Sequence, residues 1–80
     1  MSIPIELMDV LSTDPNVMRG VLCFTGTRVP VQVFLDNCRA GIPVGEFLDA
    51  YPDLTRDQVQ AVINWKDGQA RKILGLELAG

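Results

Sequence analysis

Proline and glycine cut the second half of this chain into three segments, and that punctuation limits the fold more than any other feature. Pro30 opens the first segment and Gly41 closes it, Pro43 opens the second and Pro52 closes it, and Thr55 opens the third. Proline suits the first turn of a helix, where its missing N–H would have had no partner. Glycine adopts the left-handed conformation that ends helices. Within the first segment Val31, Phe34, Leu35 and Cys38 recur at i, i+3, i+4 and i+7, and Val44, Phe47, Leu48 and Tyr51 repeat that spacing in the second. Each set makes one apolar stripe on a helix.

The third segment begins on Thr55-Arg56-Asp57-Gln58, which has the form of a capping box. The threonine hydroxyl accepts from the N–H of Gln58, and the Gln58 side chain returns to the backbone of Thr55. Leu54 and Val59 occupy the staple positions on either side. Val59, Val62 and Ile63, with the stem of Lys66, form the expected buried stripe, and Ala61 and Trp65 lie on a neighbouring face. Gly68 weakens a helix by about 1 kcal/mol relative to alanine, so this one either stops there or runs on to Ile73.

Ahead of Pro30 the chain reads as short strands and turns. Asp14-Pro15-Asn16 is a turn signal, because Asp and Asn bond their own backbone and Pro presets φ. Val21 to Phe24 and Val29 to Val31 flank Thr25-Gly26-Thr27, the pattern of a small hairpin in which Gly26 supplies the backbone freedom. The expected fold is one mainly α domain: a short N-terminal β segment or hairpin over 1–30, a three-helix core of helix-turn-helix layout over 31–74, and a tail over 75–80.

Several function classes have nothing to stand on. There is no histidine, and Cys23 and Cys38 are not a CxxC pair, so no metal site or cofactor is expected. Both cysteines sit in apolar runs, which suits reduced buried thiols and a reducing cytoplasm. No basic-then-apolar leader and no run near the roughly 20 apolar residues of a bilayer span is present. No serine lies near a candidate base, no glycine-rich phosphate loop occurs, and Pro52 separates Asp49 from Asp53. The chain is expected to be non-enzymatic and cytoplasmic.

Binding is the remaining class. The net charge is −3, which opposes phosphate attraction. Between Gly41 and Thr55 the only charges are Glu46, Asp49 and Asp53, a segment suited to a basic protein surface. If the second and third helices form a helix-turn-helix, Arg56 and Gln60 are the residues placed to meet base edges, with Asp57 opposing phosphate. Gly26, Thr27, Arg28 and Pro30 belong to the most distinctive string. Arg28 there is either an interface anchor or, the stronger reading, a structural staple that bonds carbonyls and pairs with Asp36 or Asp49. A chain of 80 residues buries only about 60–65% of its unfolded surface. Its tail, Ile73-Leu74-Gly75-Leu76-Glu77-Leu78, is apolar, and a homodimer built partly from Trp65 to Leu78 is expected.

The string Gly26-Thr27-Arg28-Val29-Pro30-Val31, with Asp14-Pro15, Gly20 and Phe24 before it and Gly41, Glu46-Phe47-Leu48, Tyr51-Pro52 and Gln58-Val59 after it, resembles the bacterial DUF433 family of small proteins regarded as antitoxins. The resemblance runs from about Thr13 to Ile73. It implies a homeodomain-like helical core behind a short β segment and a co-encoded PIN-like nuclease toxin as partner, with binding to its own promoter as a second activity. The chain departs from the commoner pattern after Gly20, where Val21 and Leu22 replace a Lys/Thr-Pro pair. The resemblance supplies no catalytic or binding residues. Three readings follow: a nuclease-binding antitoxin, a DNA-binding regulator without a toxin, and a dimeric structural module.

Overall fold

A computed structural model describes residues 3–76. A 3-10 turn at Ile5–Leu7 leads into strand β1 (Leu11–Ser12), a second such turn at Met18–Gly20, and strand β2 (Cys23–Phe24). Helices α1 (Val31–Arg39), α2 (Val44–Ala50) and α3 (Arg56–Ile73) follow. The fold is mainly α with a short N-terminal β hairpin.

β1 and β2 pair antiparallel, Leu11 opposite Phe24 and Ser12 opposite Cys23. The expected partner of β2, the run from Val29 to Val31, contributes a single antiparallel bridge between Cys23 and Pro30. Phe24 N–H donates to the Val29 carbonyl and Val31 N–H to that of Leu22, both at 3.0 Å. This arm cannot lengthen into a strand, because Pro30 has no N–H to donate and Val31 already begins α1. β2 is thus flanked on both sides, by a ladder with β1 and by the start of the helical core.

The helix boundaries follow the punctuation. Pro30 and Pro43 stand immediately before α1 and α2. After α1, Gly41 takes φ +79°, its N–H reaches the Cys38 carbonyl at 3.1 Å, and the Ile42 N–H reaches that of Asn37 at 3.0 Å. These two bonds are a complete Schellman motif. The capping box of α3 forms as read: Gln58 N–H donates to the Thr55 hydroxyl at 3.2 Å, and Thr55 N–H donates to Gln58 Oε1 at 3.1 Å. α3 runs straight through Gly68 and ends on a second Schellman motif around Gly75, with Gly75 N–H on the Lys72 carbonyl at 3.2 Å and Leu76 N–H on that of Arg71 at 2.7 Å.

The core draws on the first 3-10 turn, both strands and all three helices: Leu7, Leu11, Phe24, Val29, Phe34, Phe47, Leu54, Val59 and Val62 are buried together. An aromatic chain crosses it. Phe24 meets Phe34 edge-on at 6.1 Å, Phe34 meets Phe47 at 5.1 Å, and Phe47 meets Tyr51 at 4.9 Å. Such pairs contribute about 0.5–1.5 kcal/mol beyond the area they bury. The staple pair Leu54 and Val59 is buried, Ile63 is half-buried, and Lys66 is exposed. Both cysteines are free thiols, Cys23 buried and Cys38 half-buried. The expected tail falls partly on residues 77–80, outside the described residues. No helix of the described residues is long and apolar enough to cross a membrane.

Candidate partner interface

The glycine turn is built locally and then locked from a distance. Gly26 has φ +79°, where a Cβ would strain the backbone. The Thr27 hydroxyl donates to the Phe24 carbonyl at 2.8 Å and accepts from Val29 N–H at 3.1 Å. The Gln58 side-chain amide, already engaged through its oxygen in the capping box, donates to the Thr25 carbonyl at 2.9 Å. One glutamine thus ties the start of α3 to the turn that precedes α1.

Arg28 is not the staple that the sequence suggested. It is exposed, and the single ion pair among the described residues joins Arg71 to Asp67 at 2.8 Å. Neither Asp36 nor Asp49 reaches Arg28. The Thr27 hydroxyl closes the turn instead, so the guanidinium is free to face solvent. It borders an open polar cleft of about 460 Å³ together with Thr27, Asp14 and Asp53, with Cys23 in the wall. Burial pushes the Cys23 thiol pKa up, which keeps it protonated and unreactive.

The acidic segment divides. Glu46 and Asp49 are exposed, and their i, i+3 spacing puts them one turn apart on one face of α2. Asp53 lies in the turn beyond the helix and joins the cleft beside Arg28. Arg56 and Gln60 are exposed and share a face of α3, and the Gln60 amide donates to Asn64 Oδ1 at 2.9 Å. Asp57 stands exposed beside Arg56.

Two features escaped the sequence. Met18, Arg19 and Gly20 follow one another at φ 51°, 56° and 82°. Left-handed backbone costs a non-glycine residue roughly 1–2 kcal/mol, and only Gly20 signals it in the sequence. The second is an apolar groove of about 450 Å³ between the N-terminal segment, α1 and α3, walled by Ile3, Leu7, Leu22, Leu35 and Trp65. Trp65 is fixed there by a bond from its Nε1–H to Glu6 Oε2 at 3.0 Å. The groove brings together residues from both ends of the chain, so no local pattern announces it. Among the described residues no group of three or more His, Cys, Asp or Glu side chains is placed to hold a metal ion.

The turn, the strand before it and the helices after it coincide with a known sequence profile. The profile of the family described as "Protein of unknown function (DUF433)" matches residues 11–65. The chain belongs to the DUF433 family. The matched span runs from β1 to Trp65 and stops midway along α3. The crystal structure of a DUF433 member protein from Anabaena variabilis superposes with a TM-score of 0.63 at 24% sequence identity, covering 90% of this chain and 82% of that one. That likeness shows a shared fold. No curated protein matches the chain. In this DUF433 chain Asp14, Thr27 and Arg28 line the same cleft, so part of the Gly26–Val31 string lies at the surface as well as in the turn.

Proposed function

We propose that this DUF433 protein is a non-enzymatic, antitoxin-like binding protein that occludes a co-encoded PIN-like nuclease. The observation that carries the reading is the α2 face, where Glu46 and Asp49 are exposed with no cationic partner among the described residues. Desolvated against a basic groove shaped for RNA, such carboxylates gain in attraction and steer encounter. Asp53 adds an acid next to the Arg28 turn.

Co-purification of the protein with the product of the neighbouring gene, followed by reversal of Glu46, Asp49 and Asp53 to lysine, tests this. Binding is expected to fall at least tenfold and nuclease activity to return. Undiminished binding would eliminate the acidic face, and failure of the two proteins to associate would remove the antitoxin reading.

A second reading rests on Arg56 and Gln60, side by side on the first turns of α3, where a homeodomain-like helix-turn-helix presents base-reading residues. Asp57 in that turn and the net charge of −3 oppose phosphate. The isolated protein should therefore bind its upstream DNA weakly, with affinity falling steeply as salt rises. Tight, salt-insensitive binding in a gel-shift titration would reverse the order of the two readings.

A further inference from the structure

α3 carries both halves of an unmade contact. Its middle, at Trp65 and Lys66, lines the open apolar groove. Its end bears Ile73, Leu74 and Leu76, which are 80%, 69% and 57% exposed. A helix rises about 1.5 Å per residue, so the intact α3 holds Ile73 roughly 10 Å beyond Lys66. The helix end therefore cannot seat in the groove of its own chain. A second copy has no such constraint.

The occupant follows from self-complementarity: one chain carries both the exposed apolar end at Ile73, Leu74 and Leu76 and the apolar groove that this end cannot reach, so two copies satisfy both surfaces at once.

We propose that two copies associate through this end, Ile73, Leu74 and Leu76 of each seating in the Leu22–Leu35–Trp65 groove of the other. The pairing is isologous and closes as a two-fold dimer. It uses residues beyond the family-matched span and leaves the Glu46–Asp49 face of α2 uncovered, so it stands apart from the nuclease reading.

Sedimentation of the full chain tests it, with the emission of the single tryptophan, Trp65, as a second readout. The wild type should sediment at twice 8.8 kDa at micromolar concentration, and Trp65 emission should move to shorter wavelength as concentration rises. The double variant Ile73→Asp/Leu74→Asp should be monomeric with unchanged far-ultraviolet circular dichroism, because both side chains are exposed in the single chain. Mixing Leu35→Cys and Ile73→Cys chains, each in a Cys38→Ser background, should give a disulfide-linked dimer on oxidation. A wild-type monomer at every concentration overturns the proposal. So does a dimer that survives the double variant, or one that fails to cross-link in the mixture. Lysine reversal at Glu46 and Asp49 should leave the dimer intact.

Discussion

The two halves of α3 are one continuous helix built on opposite terms. From Thr55 to Trp65 it is capped, stapled by Leu54 and Val59, buried along Val59 and Val62, and bonded to the Thr25 carbonyl. From Lys66 to Ile73 only Gln69 is even half-buried, the sole ion pair is the exposed Arg71–Asp67 bridge, and Gly68 sits in mid-helix. Exposed i, i+4 pairs add only about 0.3–0.5 kcal/mol, so the second half is held mainly as an extension of the first and by the Schellman motif at its end. Helical structure and burial are therefore separable along this element. The half that buries least is the half whose apolar end, Ile73 and Leu74, stays exposed.

The largest test of this contrast is truncation of a core side chain in the first half. Val59→Ala should destabilise the monomer by about 2–3 kcal/mol, the lost methyl burial plus the cavity left behind. Ile73→Ala, at monomeric concentration, should stay within about 0.5 kcal/mol. Equal effects in urea melts would break the division. Next in size is Gln58→Ala, which removes both the return bond of the capping box and the bond to Thr25. It should cost about 1–2 kcal/mol, whereas Gln69→Ala should be near neutral.

The glycine turn sharpens the same distinction between buried and exposed roles. Thr27→Val removes a hydroxyl with two bonds and should lower stability by about 1 kcal/mol. Arg28→Ala should leave the unfolding free energy within about 0.5 kcal/mol of wild type. A large loss at Arg28 would mean that the guanidinium has a structural partner after all. Smallest of the changes expected to move stability is Gly68→Ala, where a Cβ meets nothing within 4 Å. It should stabilise the protein by about 0.5–1 kcal/mol through lower unfolded-chain entropy and better helix propensity. Hydrogen exchange should slow chiefly in the exposed half.

The helix starts, the end of α1 at Gly41 and the capping box could be read from the chain because their partners lie within a few residues, whereas the end of α3 was left open between Gly68 and Ile73. The β pairing was only half legible. Val29 to Val31 reads as a strand by composition, but Pro30 and the onset of α1 at Val31 confine it to one bridge, and the ladder went to Leu11–Ser12. Of the candidate interface, the exposure of Glu46, Asp49, Arg56 and Gln60 followed from helical spacing. The fate of Arg28 did not, because whether a side chain beside a turn faces in or out depends on what the rest of the fold brings near it.

The sequence by itself determined where each helix starts, where α1 and α2 stop, and most of the apolar stripe of each. The tertiary structure alone decided that Gln58 reaches Thr25 across 33 positions and Trp65 reaches Glu6 across 59. It also decided that an apolar groove opens beside a helix whose own end cannot fill it. The physical reason is range. Caps, turns and periodicity are satisfied within one or two turns of chain, and their residue preferences are written locally. A groove or a long-range hydrogen bond depends on which segments the whole core brings side by side.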